Sequence, residues 1–280
     1  MNVLNLTQIK WMITKRIIAL VALMGILTAC AQTPIPAEIT PPEVKVVSAM
    51  RNVMWKGEIG ASVMLDTLYS GGVWYGIGPM AELRGEISVL DGVVYTSQVD
   101  SMGSLFVRVA DFSSPASSDS SAGSRAHYPD GAVRESEQNA VGAPFFVHCG
   151  EVDWVRYNLP ESITSMEGVE AFLDAEFSHV EVPFPYMVKG FWDAVDLHAV
   201  NLPEGSSVSS PDEAHQGLTP YKIYDLDGTG LGFYSRKHQA VFTHHDTHMH
   251  THFISENKRW MGHLDGAQFR ADKLELWLPR

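Results

Sequence analysis

The residues best suited to chemistry lie in one segment, Val241–Asp265, which holds six of the twelve histidines of the chain. In a strand, alternate side chains fall on one face. An extended strand over Thr243–Ile254 would therefore align five potential ligands: His244, Asp246, His248, His250 and His252. Imidazole is a common ligand of zinc-like ions, so the segment predicts a metal site.

The spacing of these histidines suits chelation. Residues two apart on a strand lie about 6.5–7 Å from each other, and two imidazoles can close that gap by converging on one ion. A polar turn over Ser255–Arg259 would bring His263 back on the adjacent strand. Three imidazoles leave a fourth position of the ion open, as in a catalytic site. The alternative is a histidine-rich surface strand that binds metal only adventitiously.

Three motifs in this half of the chain resemble those of α-acetolactate decarboxylases. They are G-T-G-L-G-F-Y-S over Gly228–Ser235, H-T-H-F-I-S-E over His250–Glu256, and G-H-L over Gly262–Leu264. In that family three histidines at these positions hold a zinc ion. The resemblance therefore implies that His250, His252 and His263 bind Zn²⁺, and it gives no role to His244, His245 or His248.

A hairpin in the N-terminal half carries the candidate proton donor. Gly85–Leu90 and the strand that begins at Val93 are rich in strand-forming residues, and Asp91-Gly92 between them is a strong two-residue turn signal. On the residues alone, Glu86 reads as a solvated strand glutamate. The segment is similar to the family's L-D-G-E motif, which implies that Glu86 reaches the metal and handles a proton, although Arg84 stands where the family has aspartate.

The family's active-site arginine has no direct counterpart. Val195–Val200 aligns with the family's V-K-T-R-A-V strand and puts His198 at the arginine position. Histidine can hydrogen-bond a carboxylate or a ketone, but it lacks the fixed bidentate fork of guanidinium. Arg156 is the alternative source of a guanidinium. His215 lies in a loop before the metal-binding half and is a further candidate for the site.

Other segments predict the elements around the site. An amphipathic helix should begin at Ser162 or Thr164 and end before Pro183. Tyr186–Gly190 and Ala194–Pro203 are expected to be two strands joined by a short turn. Pro144–Cys149 has the pattern of a buried strand, in which His148 is expected to be a core histidine.

The fold class implied is α+β, with mostly antiparallel strands. We expect an N-terminal sheet domain over 51–160 and a C-terminal barrel-like metal-binding domain over 161–280, with the site between them. Ser113–Ser124, the low-complexity stretch SSPASSDSSAGS, should be a flexible insertion in the first domain.

The first 29 residues read as a lipoprotein signal peptide. Lys15 and Arg16 precede a short apolar run, and Leu27-Thr-Ala-Cys30 has the form of a lipoprotein cleavage box. We expect a lipid anchor at Cys30, a linker over 30–50, and attachment to a bacterial membrane facing the periplasm or the outside. The alternative is an ordinary cleaved signal peptide in which Cys30 is incidental.

Charge and cysteine content exclude several classes of partner. The formal charge is −13, and removal of residues 1–29 takes away three basic residues and no acid, which makes it −16. Such a surface repels nucleic acid and anionic lipid, so we expect no nucleic-acid partner and membrane contact only through the anchor. Apart from Cys30, Cys149 is the only cysteine, so an internal disulfide is not expected.

The resemblance implies a carboxy-lyase that converts 2-acetolactate to acetoin and carbon dioxide. Zinc would act as a Lewis acid on a 2-hydroxy-3-keto acid, Glu86 would supply the proton, and His198 would orient the substrate. A homodimer is the assembly that we expect. Two alternatives stay open: a zinc-dependent ester hydrolase on the same three histidines, and a non-catalytic metal-binding lipoprotein.

Overall fold

The computed structural model describes residues 38–68, 71–110, 124–127, 133–136 and 140–280. The helices are α1 (Met50–Lys56), α2 (Leu65–Leu68), α3 (Met166–Phe177) and α4 (Pro211–Ala214), with 3₁₀ turns at Ala81–Leu83 and Ala271–Lys273. The predicted signal peptide and the anchor at Cys30 lie outside these ranges, as do residues 113–123 of the predicted insertion. Within the described ranges, no helix is long and apolar enough to cross a membrane.

The strands before α3 are β1 (Val44–Val47), β2 (Val63–Met64), β3 (Tyr75–Pro79), β4 (Glu86–Leu90), β5 (Val93–Val99), β6 (Leu105–Ala110), β7 (Ser124–His127), β8 (Val133–Ser136), β9 (Gly142–Ala143), β10 (Phe146–Cys149) and β11 (Trp154–Asn158). Those after α3 are β12 (Phe184–Ala199), β13 (Thr219–Tyr234), β14 (Met249–Ser255), β15 (Met261–Gln268) and β16 (Leu274–Pro279).

These strands form two large antiparallel sheets, which confirms the predicted α+β class. The first has the order β1-β10-β3-β4-β5-β6-β7-β8, and the second β11-β16-β12-β13-β14-β15. The short strands β2 and β9 form a separate two-stranded sheet. In the second sheet β15 also pairs with β12, so β12, β13, β14 and β15 pair in a closed ring.

The hairpin predicted at Asp91-Gly92 is present. Leu90 and Val93 are paired across the turn, and the two turn residues have φ of 53° and 83°. Positive φ at both central residues is the requirement of a type I′ turn, which matches the twist of the flanking strands. The hairpin sets β4, which carries Glu86, in the middle of the first sheet.

The prediction of two strands joined by a turn after Tyr186 is wrong, because β12 runs without interruption from Phe184 to Ala199. At Gly190, where φ is 139°, a Cβ atom would lie 2.1 Å from the Lys273 carbonyl oxygen. Glycine thus lets β12 pass close to the 3₁₀ turn before β16 and continue. The strand pairs with β16 before this point and with β15 after it, and His198 lies in the second part.

The predicted strand over Thr243–Ile254 is wrong in its first half, since β14 begins only at Met249. Glu170 on α3 accepts hydrogen bonds from Thr247 Oγ1 at 2.9 Å and from the His248 backbone N–H at 2.6 Å. These bonds hold the preceding loop on the helix instead of in the sheet. Helix α3 itself begins at Met166, capped by Ser165, whose hydroxyl accepts from the Gly168 N–H at 3.3 Å.

Two apolar cores position the site. One lies between α3 and the second sheet, around the fully buried Trp192, Phe177 and Phe253. The other joins the two sheets, because it combines Ile77 of β3 with Leu231 of β13 and Ile254 of β14. Packing of this second core brings β4 of the first sheet against the histidine-bearing strands of the second.

Candidate active site

Three histidines converge where β14 and β15 pair. His252 and His263 are direct cross-strand partners, and His250 lies two residues earlier on the same face of β14. One ring nitrogen from each of the three lies within 4.8 Å of the others, as ligands of a single ion require. Gly262 permits this arrangement, because a Cβ there would lie 2.5 Å from the His198 carbonyl oxygen and would push β15 away from β12.

The chemistry of these rings fits a divalent metal ion. His250 Nδ1 and His252 Nε2 are buried and have no hydrogen-bond partner among the described residues. Ser88 Oγ bonds His252 Nδ1 at 3.2 Å, which leaves Nε2 as the free ligand atom. A buried polar atom without a partner is costly, and a bound ion would satisfy both nitrogens.

The three imidazoles are held in the neutral form that metal binding needs. Burial, and after it the charge of neighbouring histidines, lowers the pKa of His250 and of His263 well below the usual value. The same causes lower the pKa of His252 to about 3. Three neutral rings need not lose protons on binding an ion at neutral pH.

Glu86 of the first sheet is buried beside this cluster, with 3% of its side chain exposed. Its Oε1 accepts the Val200 backbone N–H at 3.0 Å, and its Oε2 lies 3.7 Å from His252 Nε2. Burial raises the pKa of Glu86 to about 7, although the charge of His198 and the bond from Val200 oppose the shift. The carboxyl group can therefore hold or release a proton near neutrality.

His198 lies on β12 directly opposite His263, and the two rings have centroids 4.6 Å apart. Its Nδ1 donates to the Asp265 carboxylate, 2.7 Å from Oδ1 and 2.9 Å from Oδ2. Burial alone would lower the pKa of His198, but the bond to Asp265 and the charges of Glu86 and Asp265 outweigh it and raise the pKa. His198 is thus an oriented imidazole whose protonated form is stabilised by the neighbouring carboxyl groups.

Other candidates from the sequence lie elsewhere. Arg156 forms an exposed ion pair with Glu275 at 2.9 Å on the β11–β16 pair, so it does not replace the family arginine. His148 lies on β10 and stacks on Phe146 with ring centroids 5.8 Å apart, but it is half-buried and not a fully buried core residue. His248 bonds Asp174 at 2.9 Å instead of joining His250. His215 is exposed, but partial burial of its ring and then the charge of His198 lower its pKa, which places it near His198.

Sequence reasoning missed two of the side chains that orient the site. Asp265 lies two residues after His263 on β15, and Ser88 lies two residues after Glu86 on β4. The two-residue period of a strand was the signal that could have found both, because it places each on the same face as a recognised residue. The Val200 N–H that fixes Glu86 had no such signal, since backbone donors are not visible in a side-chain pattern.

Comparison with known proteins identifies the family that the chain resembles. Residues 126–277 match the family model described as alpha-acetolactate decarboxylase, a segment that includes the three histidines and His198 but not Glu86. A comparison with curated proteins gives no significant match.

Solved structures show the same fold at low sequence identity. Acetolactate decarboxylase from Bacillus subtilis subspecies spizizenii is 18% identical with a TM-score of 0.61, covering 84% of this chain and 85% of that one. The α-acetolactate decarboxylase of Bacillus subtilis strain 168 is 18% identical with a TM-score of 0.60, covering 85% of each chain. A Staphylococcus aureus protein of unknown function, described as similar to this enzyme, is 14% identical with a TM-score of 0.61, covering 85% of this chain and 84% of that one.

Proposed function

Because the chain belongs to the alpha-acetolactate decarboxylase family, we propose that it decarboxylates 2-acetolactate to acetoin and carbon dioxide. The observation that carries the proposal is the position of Glu86, a buried carboxyl group 3.7 Å from a candidate metal ligand on the other sheet. A proton donor beside a metal site is what this reaction requires, and a site that only binds metal has no need of it.

His250, His252 and His263 would hold the ion, and zinc is the metal that we propose, because neutral imidazoles are common zinc ligands. When bound, zinc supplies Lewis acidity that draws electrons from the substrate carbonyl. The protein's part is to fix the rings. Ser88 bonds the outer nitrogen of His252, and the β14–β15 register keeps His252 opposite His263.

Glu86 would move the proton. Loss of carbon dioxide breaks one C–C bond and leaves its electron pair on the substrate as an enediolate, so one proton must reach the carbon that carried the carboxylate. Val200 holds Glu86 Oε1, which leaves Oε2 toward the cluster as the atom that carries the proton. A group whose pKa lies near the working pH is the most effective general acid.

His198 would orient the anionic substrate in place of the family arginine. Asp265 fixes its ring through Nδ1–H, so in the imidazolium form the Nε2–H is left to donate to a carboxylate or ketone oxygen. The raised pKa of His198 increases the fraction of imidazolium, which gives part of the positive charge that guanidinium supplies permanently.

The test compares the zinc-loaded parent with Glu86→Gln, using acetoin formation from 2-acetolactate as the assay. Glutamine keeps the shape of the side chain but cannot give up a proton, so kcat should fall by about 100-fold or more while zinc content is unchanged. Glu82→Gln is the matched control, because Glu82 is exposed on the turn before β4.

Two results would overturn the proposal. A parent that makes no acetoin but hydrolyses a simple aryl ester would favour the ester hydrolase on the same histidines. A Glu86→Gln variant as active as the parent would remove Glu86 from the chemistry and with it the basis of the decarboxylase assignment.

A further inference from the structure

His263 is the centre of a group of five imidazoles. Three of them form the candidate ligand set His250, His252 and His263, and His198 forms a second possible metal-binding group with His263 and Asp265. The His263 ring centroid lies 4.9 Å from that of His250 and 5.7 Å from that of His252. The His263 ring centroid also lies 4.6 Å from the ring centroid of His198 and 5.0 Å from the ring centroid of His244. Two imidazoles therefore face the candidate metal site without belonging to its ligand set.

The fifth ring, His244, reaches the site from the loop between β13 and β14. Its centroid is 6.2 Å from that of His250, and the two rings are nearly perpendicular, at 89°. Its contacts are with His250 and His263, whereas Glu86 lies beside His252. His244 and Glu86 thus border different members of the ligand set.

The two additional imidazoles differ in how they are held. His198 is tied to Asp265 through Nδ1. His244 is half-buried, and within the part of the chain that the structure describes neither of its ring nitrogens takes part in a hydrogen bond; only its backbone carbonyl does, accepting from Thr243 Oγ1 at 3.3 Å. Both nitrogens of His244 are therefore available to a molecule that enters the site.

That molecule is better identified as the substrate than as the ion. The ligand atoms of His250, His252 and His263 lie within 4.8 Å of one another, and among the described residues His244 belongs to no such group. The rings that contact His250 and His263 from outside the ligand set are His198 and His244. These two imidazoles are therefore placed to bind a substrate that lies beside the ion.

Resting on the proposed function, we propose that His244 is a substrate-binding residue that hydrogen-bonds an oxygen of the 2-hydroxy-3-keto acid. A substrate of this class presents a carboxylate, a ketone and a hydroxyl group, more oxygens than His198 alone can bind. His244 approaches from the side of His250 and His263, and Glu86 from the side of His252, so a substrate between them meets a hydrogen-bond partner at one end and the proton donor at the other.

The experiment compares the zinc-loaded parent with His244→Ala, His244→Gln and the control His245→Ala. His245 is the exposed neighbour of His244 in the same loop. The measurements are zinc content, KM for 2-acetolactate, and the Kd of 2,3-dihydroxy-2-methylbutanoate by calorimetry. This compound keeps the carboxylate and the 2-hydroxyl group but has no ketone and cannot decarboxylate. Circular dichroism checks that each variant is folded.

His244→Ala should raise both KM and Kd by about five- to tenfold, the effect of one lost hydrogen bond, with zinc content unchanged. His244→Gln should recover part of the loss because its amide still donates, and His245→Ala should match the parent. Unchanged KM and Kd in a folded His244→Ala variant would overturn the proposal, and loss of zinc would make His244 a ligand instead.

The same measurements distinguish failure of the proposed function from failure of the His244 proposal. If the parent binds the dihydroxy acid but makes no acetoin, the decarboxylase assignment falls, and the Kd values alone decide whether His244 contacts the ligand. A parent that neither turns over 2-acetolactate nor binds the dihydroxy acid overturns both.

Discussion

His252 and His263 are paired directly across β14 and β15, and this register is what aims both rings at one point. A slip of one residue would turn His263 to the opposite face of β15, since side chains alternate along a strand. The pairing also places His263 opposite His198 on β12. The pairing of β14, β15 and β12 thus determines both the candidate ligand set and the contact between His263 and His198.

Replacing His252 by alanine should abolish stoichiometric metal binding, because two imidazoles cannot close a zinc site of this kind. His148→Ala is the informative partner, since His148 packs against Phe146 of β10 and against Trp74, the residue before β3. It should cost about 1–2 kcal/mol of unfolding free energy and keep the metal. Metal analysis and thermal melting of both variants make the comparison. Equal metal content in His252→Ala and the parent would refute the ligand assignment.

Asp265→Asn should weaken substrate binding by loosening His198. The carboxylate holds the ring at 2.7 Å, and the neutral amide of asparagine can accept only a weaker bond from Nδ1, a difference with an effect of about tenfold. We expect kcat/KM to fall by that factor with zinc content unchanged, whereas Asp196→Asn, which breaks an exposed pair with Lys222, should have no effect. If the two variants behave alike, Asp265 has no part in positioning His198.

The metal-free protein should lose stability as pH falls. Burial lowers the pKa of His250, His252 and His263, so these rings stay neutral in the folded chain but take up protons in the unfolded chain near 6.5. The unfolded state then binds more protons below this pH and is favoured, and for His252 the loss continues down to its folded pKa of about 3.

Glu86 has the opposite effect on how the stability of the fold depends on pH. Its pKa rises from 4.5 to about 7 on folding, so its contribution to stability falls as pH rises through that window. His198, whose pKa is also raised on folding, adds to this opposing contribution. The three histidines outweigh these two groups, and the net change should be a loss of stability on acidification. Urea unfolding of chelator-treated protein at pH 5 and 7 measures it, and the loss should be smaller in His252→Ala. Equal stability of the parent at the two pH values would contradict this prediction.

Gly190→Ala should destabilise the fold strongly. Gly190 has φ of 139°, and an added Cβ would lie 2.1 Å from the Lys273 carbonyl oxygen, so both the backbone and the contact with the neighbouring turn are strained. We expect a loss of about 2 kcal/mol or more in unfolding free energy. Gly150→Ala is the control, because nothing lies within 4 Å of a Cβ there. Similar melting temperatures for the two variants would mean that β12 can shift at this point without cost.

The sequence predicted those structural features that are determined by residues close together in the chain. The Asp91-Gly92 turn was visible because both residues tolerate the positive φ that a type I′ turn needs. The return of His263 beside His252 followed from a polar turn between two strand-forming runs. In each case the residues that determine the geometry lie within a few positions of one another.

Features caused by distant residues were not predictable in this way. Strand β12 is continuous because Gly190 lets it pass the Lys273 carbonyl, a contact between segments far apart in the chain. Strand β14 begins late because Glu170 on α3 binds Thr247 and His248. The approach of His244 depends on that same displaced loop. The sequence pattern placed His244 on a strand with His250, whereas the loop brings it to the site by another route.

The hydrogen bond from the Val200 N–H to Glu86 Oε1 also limits how this architecture can be recombined. The donor follows β12 in the second sheet, the acceptor lies on β4 in the first, and the segment that matches the family model contains Val200 but not Glu86. A chimera that joins the metal-binding half of this chain to the N-terminal half of a relative would inherit the two partners from different parents. Such exchanges should preserve activity only where both parents place a backbone N–H within hydrogen-bonding distance of this carboxylate. The two halves of the chain are therefore expected to change together in evolution.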